Sequence, residues 1–149
     1  MIMPKHIPVM LDQSIDAMKI LPNGTYVDAT FGFGGHSKKI LDSLDSDGRL
    51  YAVDKDEYAI NMIREDVAND KRFTLKHGCF SELENFSREW GIHGSINGIL
   101  FDLGVSSHHL DEAGRGFSFN KNGPIDMRFD RSSGISACEW LETVDEQTL

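Results

Sequence analysis

The stretch Asp28-Ala29-Thr30-Phe31-Gly32-Phe33-Gly34-Gly35-His36-Ser37 gathers three glycines between an acid and a histidine. Glycines at this spacing let a backbone turn sharply and approach a ligand that a Cβ would hold away. Taken alone, the signal is weak, because such a cluster can also be no more than a tight strand-to-helix turn. Asp54 lies 26 positions beyond Asp28 (54 − 28), a separation at which a carboxylate can accept hydrogen bonds from both hydroxyls of a ribose. Together the loop and the acid point to an adenosine-containing ligand. The plainer alternative makes Asp54 a cap on a helix entered through Asp56 and Glu57.

The type of adenosine ligand follows from what the loop lacks. Dinucleotide folds use G-x-G-x-x-G, and counted from Gly32 the last position is Ser37, so a pyrophosphate cradle is disfavoured. S-adenosylmethionine carries no phosphate, and its sulfonium is positive. Asp28, Asp54 and Asp102, each expected at the end of a strand, would suit such a cation. Phe80, in Gly78-Cys79-Phe80, would offer a ring to adenine or else belong to the core. Asp102, in Asp102-Leu103-Gly104-Val105-Ser106-Ser107, is the candidate for chemistry at a transferred methyl group, against a plain capping role. A nucleotide-binding oxidoreductase and a noncatalytic binding module are the competing readings.

These residues need strands and helices to hold them. Four apolar or β-branched runs, Tyr26 to Ala29, Leu50 to Val53, Phe73 to His77 and Ile99 to Leu103, alternate with segments of helical period. That order predicts an α/β fold with a parallel sheet and helices on its faces. Leu11, Ile15 and Met18 mark a leading helix. A helix opening near His36 carries Ile40, Leu41 and Leu44; another carries Ile60, Ile63 and Val67. A further helix with Leu83, Phe86 and Trp90 should open on a capping box of Ser81 and Glu84. After Leu103 a long Gly-, Ser- and charge-rich stretch runs to Gly134, and Ser136 with Glu139 predicts the cap of a last helix bearing Trp140, Leu141 and Val144.

The 149 residues suit one compact soluble domain, with no run apolar enough for a bilayer span and an N-terminus too short and polar for a signal peptide. A cytoplasmic location and no membrane partner are expected. Cys79 and Cys138 show neither metal spacing nor a disulfide framework, so no metal is expected. A net charge of −9 argues against a self-sufficient nucleic-acid binder, because affinity for phosphates comes largely from Lys and Arg.

Five stretches in this order resemble the MraW family of ribosomal RNA methyltransferases. They are His6-Ile7-Pro8-Val9-Met10-Leu11, Tyr26 through Ser37, Phe101 through Ser107, Arg115-Gly116-Phe117-Ser118-Phe119, and Gly123-Pro124-Ile125-Asp126-Met127-Arg128. The resemblance implies a Rossmann-like class I methyltransferase fold, S-adenosylmethionine as cofactor, and the N4 amino group of a cytidine in small-subunit ribosomal RNA as acceptor. It carries cofactor contacts onto Gly34, Gly35, His36, Asp54, Phe80, Asp102 and His109. At His109 the family usually has glutamine after proline, and at Phe33 usually arginine. The chemistry of an acceptor for the amine's N–H groups makes Asp102, at the end of its strand, the candidate catalytic residue that holds the amine, with the carbonyl of Leu103 as the alternative. Methylation at a ring carbon would need a cysteine nucleophile, a role for which Cys79 is poorly placed. Family proteins are about twice as long, so the chain looks like a fragment that stops before the last strands. Residues 1–105 would then form the cofactor-binding domain, and 106–149 a long loop and the start of an inserted helical substrate domain. An open strand edge would favour self-association.

Overall fold

In a computed structural model of the chain the described residues are 8–149; His6 and Ile7 of the first resembling stretch lie outside them. The elements fall into two compact units divided between Asp102 and Leu103.

The first unit alternates helix and strand: α1 (Leu11–Met18), β1 (Thr25–Asp28), α2 (Gly35–Ser43), β2 (Arg49–Asp54), α3 (Glu57–Asn61), α4 (Glu65–Ala68), β3 (Phe73–His77), α5 (Leu83–Glu89) and β4 (Gly98–Leu100). The four strands are all parallel, in the order β3-β2-β1-β4. This is the first part of the Rossmann order, with its switch point between β1 and β4. Asp28 pairs with Ala52 on one side and Leu100 on the other, and Asp54 pairs with His77. All four strands therefore release their chains at one edge.

Strand alternation assigns the two faces. Tyr26, Leu50 and Ala52 share a core with Ile15 of α1, Ile40 and Leu41 of α2, Leu44, and Val67 of α4. On the opposite face Ala29 and Val53 pack with Phe86 of α5, and Trp90 packs against them. The buried hydroxyl of Tyr26 accepts the Leu21 N–H at 2.7 Å, so this ring is buried without stranding its polar end. Helices cover both faces, as the alternating pattern predicts.

Three local expectations need correction. The expected helix through Ile60, Ile63 and Val67 is two short ones, because Arg64 takes extended backbone (φ −71°, ψ 140°) and its guanidinium forks onto Asp66. No capping box forms at Ser81 and Glu84. A 3-10 turn over Phe80–Glu82 leads into α5, whose N-cap is Glu82, while Glu84 pairs with Arg88 one turn on. The fourth strand ends at Leu100 rather than Leu103. Its partner β1 has already turned into the glycine loop, and the last main-chain bond between them runs from the Ala29 N–H to the Leu100 carbonyl, 2.9 Å.

The second unit contains α6 (Ser107–Asp111), a 3-10 turn (Ala113–Arg115) and α7 (Ala137–Thr143). It is held more by polar bonds than by an apolar core. The buried Arg115 donates through one nitrogen to the carbonyls of Arg128 and Phe129. Asp126 accepts from Arg128 Nε at 2.7 Å, and the Arg128 guanidinium holds its carboxyl down at about 2. The box of Ser136 and Glu139 forms as expected: Ser136 N–H donates to Glu139 Oε2 and Glu139 N–H donates to Ser136 Oγ.

Candidate active site

The carboxyl edge of the sheet is tied into one piece by hydrogen bonds between its loops. Asp28 closes β1, and its side chain is fully buried: Ser37 Oγ donates to one carboxylate oxygen at 2.7 Å and the Thr30 N–H to the other at 3.2 Å. Asp54 closes β2. One of its oxygens accepts the Gly32 N–H at 2.6 Å, the other the Asp56 N–H at 2.8 Å. The Gly78 N–H donates to the Asp54 carbonyl at 2.9 Å, which brings the turn after β3 alongside. The Asp102 N–H donates to Thr30 Oγ1 at 2.7 Å, which fixes the backbone after β4 against the same loop.

Asp54 thus braces the glycine loop as well as standing where a ribose-binding acid would stand. The helix after it is capped by Asp56, whose carboxylate accepts the Tyr58 N–H, so Asp54 is not needed for that cap. The loop glycines divide their work. Gly34 has φ +75°, and a Cβ there would lie 2.8 Å from the Phe31 ring. Gly32 has φ +54°, and a Cβ there would meet nothing nearer than 4.0 Å, so its outer side is open.

Charge is concentrated at this edge. Burial raises Asp28 to about 6 against the hydrogen bonds from Ser37 and Thr30, and the negative charges of Asp54 and Asp102 push it further up. Three carboxyl groups that feel one another in this way favour a positive guest. His36, in the first turn of α2, is buried, with Nδ1 3.7 Å from Asp102 Oδ2. Burial lowers its pKa, with Asp102 opposing; the neutral imidazole near pH 7 makes this a polar contact rather than an ion pair. Its Nε2 has no hydrogen-bond partner among the described residues. Phe80 is 43% exposed and so is not core.

Of the residues singled out by sequence, the first unit brings Gly34, Gly35, His36, Asp54, Phe80 and Asp102 to this one edge. His109 belongs to the second unit. There it is buried in α6, its ring 5.1 Å from that of Phe117 and 4.7 Å from that of Phe129, and its Nδ1 accepts the Ser106 N–H at 3.0 Å. This is a capping box that the sequence reading did not anticipate. It also missed Thr30 and Ser37, whose hydroxyls hold Asp102 and Asp28. Hydroxyl residues flanking a glycine loop were the available signal. Phe101, expected within the fourth strand, is 49% exposed, with its ring 5.6 Å from that of Phe80.

The arrangement fits a cationic adenosine derivative. An exposed aromatic surface, an acid beside an open glycine, a field of carboxylates and an orphaned buried imidazole nitrogen are the features such a ligand would use.

The chain matches the MraW methylase family over residues 3–149. It is 52% identical over 145 residues to the ribosomal RNA small subunit methyltransferase H of Alteromonas mediterranea, an alignment covering 97% of this chain and 46% of that protein. A protein of the same name from Pseudoalteromonas atlantica is 49% identical over 146 residues, covering 98% of this chain and 47% of its own. The chain spans about half the length of these curated relatives. With the family match running through nearly every residue, and with a parallel sheet of Rossmann order beneath the matching motifs, the chain belongs to the MraW methylase family.

Proposed function

We propose that this chain binds S-adenosylmethionine at the carboxyl edge of its sheet and serves methyl transfer to the N4 amino group of a cytidine in small-subunit ribosomal RNA. The observation that carries the reading is the convergence of Asp28, Asp54 and Asp102 around an open glycine loop, with Phe80 exposed beside them. The names of the relatives supply the class of RNA. Asp54 would hold the ribose, Phe80 the adenine, and Gly34, Gly35 and His36 the remainder of the cofactor. His109 enters only through its family position. Residues 1–105 are proposed as the cofactor-binding domain, and 106–149 as the beginning of the part that meets substrate.

When bound, the cofactor supplies an electrophilic methyl group on a positive sulfur. An exocyclic cytosine amine is a poor nucleophile because its lone pair is delocalised into the ring. An acceptor for its N–H groups makes the nitrogen more tetrahedral and aims the lone pair. The Asp102 side chain is half exposed and its backbone is fixed through Thr30, so it can accept an N–H and take the proton the amine loses as its bond to the methyl carbon forms and the methyl–sulfur bond breaks, its electron pair staying with sulfur. The buried Asp28 takes no part in that step; it holds Ser37 and Thr30 in place and adds to the negative field.

The test is a chimera in which this chain replaces the matching residues of the Alteromonas mediterranea relative. We expect it to methylate small subunits at cytidine N4, and Asp102→Asn to slow single-turnover transfer at saturating cofactor about a hundredfold. Methylation at another atom would refute the acceptor, and an unchanged Asp102→Asn rate would remove Asp102 from the chemistry.

A further inference from the structure

β3 and β4 are the two outer strands of the sheet, three strand spacings apart, or roughly 14 Å. Yet Phe80, just past β3, and Phe101, just past β4, have ring centroids 5.6 Å apart at an interplanar angle of 88°. The two side chains must therefore reach toward each other across the ends of β2 and β1, where Asp54 and Asp28 stand. Both rings are nearly half exposed. Neither backbone is loose: the Leu100 carbonyl and the Asp102 N–H on either side of Phe101 are both bonded, to Ala29 and Thr30, and Phe80 begins a 3-10 turn.

An edge-to-face pair uses the edge of one ring and one face of the other. With both residues nearly half exposed, ring surface is left for a third planar group, and aromatic systems gain from offset or perpendicular packing beyond the area they bury. Two large rings held at the surface by fixed backbone, in front of the acid suited to a ribose, make a platform for a flat heterocycle. The ribose position decides which heterocycle, because the base is joined to that ribose by a single glycosidic bond and so must lie close to the ends of the strands beside Asp54.

We infer that Phe101 is a cofactor-binding residue that packs, together with Phe80, on the adenine ring. This rests on the reading of the site as one for S-adenosylmethionine and adds to it a residue outside the set carried by the family resemblance. Phe101 is on this account a determinant of adenine affinity, distinct from its neighbour Asp102, which faces the transferred group.

The experiment is calorimetry of the wild-type chain, Phe101→Ala, Phe101→Leu and Phe101→Tyr, titrated with S-adenosylhomocysteine and with 5′-methylthioadenosine, which shares the adenosine but lacks the amino acid. Phe101→Ala should weaken both ligands by the same factor, about tenfold. Phe101→Leu, which keeps apolar bulk without a ring and protects the test against a misfolded alanine variant, should weaken both by an equal but smaller factor. Phe101→Tyr should bind like wild type. A loss confined to S-adenosylhomocysteine would place Phe101 at the amino-acid end and overturn the inference. So would wild-type affinity in Phe101→Ala and Phe101→Leu, while leaving the cofactor assignment intact. A wild-type chain that binds neither ligand would overturn that assignment as well as the inference.

Discussion

Asp28 has a raised pKa in the folded chain, about 6 against an ordinary 3.8, because burial disfavours its charged form. The folded state therefore holds a proton that the unfolded state has released between about pH 4 and pH 6. The sign follows: the stabilising contribution is full below about pH 4 and is lost as pH rises through 6. A shift of this size corresponds to something on the order of 3 kcal/mol. Urea denaturation from pH 4 to 7 should show a fall in stability over this window that is absent in Asp28→Asn. A pH profile shared by both proteins would show that Asp28 does not titrate there. The sequence marks Asp28 as a strand-end acid like Asp54 and Asp102. What it does not reveal is that this one is fully buried and bonded by Ser37 and Thr30, while Asp102 is half exposed.

At the scale of elements, the glycine loop offers a comparison of two substitutions. Gly34→Ala meets both a positive φ and the Phe31 ring, whereas Gly32→Ala meets a positive φ alone. Gly34→Ala should cost about 2–4 kcal/mol in denaturant unfolding and Gly32→Ala about 1. Equal costs would mean that Phe31 moves aside freely. The elements themselves were largely legible, because each strand is a short β-branched or apolar run and each helix repeats its apolar residues every three or four positions. Their ends were less so. β4 stops at Leu100 although Phe101 and Leu103 continue the apolar pattern, since strand length depends on a partner that the pattern does not contain. The helix through Ile60 and Val67 keeps the right period on both sides of a break set by the backbone of Arg64. The box at Ser81 failed while that at Ser136 formed, although the two share the same spacing. The difference is the 3-10 turn that draws Ser81 inside it.

For the whole molecule, 24 acidic residues against 15 Lys and Arg leave a charge of −9. Phosphate contacts supply much of the affinity for RNA, so this balance opposes binding at any ordinary salt concentration. We expect the purified chain on its own to bind small-subunit ribosomal RNA weakly and to transfer no methyl group to it, as measured by incorporation of labelled methyl from the cofactor. Robust incorporation at cytosine N4 would show that the acidic surface is no obstacle. Among the described strands β4 pairs only with β1, and Ile99 on it is 42% exposed.

The bond from the Asp102 N–H to Thr30 Oγ1 joins positions 72 apart in sequence. It makes the glycine loop and the acid after β4 one inherited part. A graft of the loop onto another Rossmann scaffold would bring the backbone that approaches a ligand but leave behind the register of the acid. An insertion between Ala29 and Thr30 would shift Asp102 without touching its own strand. Changes tolerated in one segment are thus conditional on the other, and an engineer who wishes to move this site must transplant both ends of the bond together.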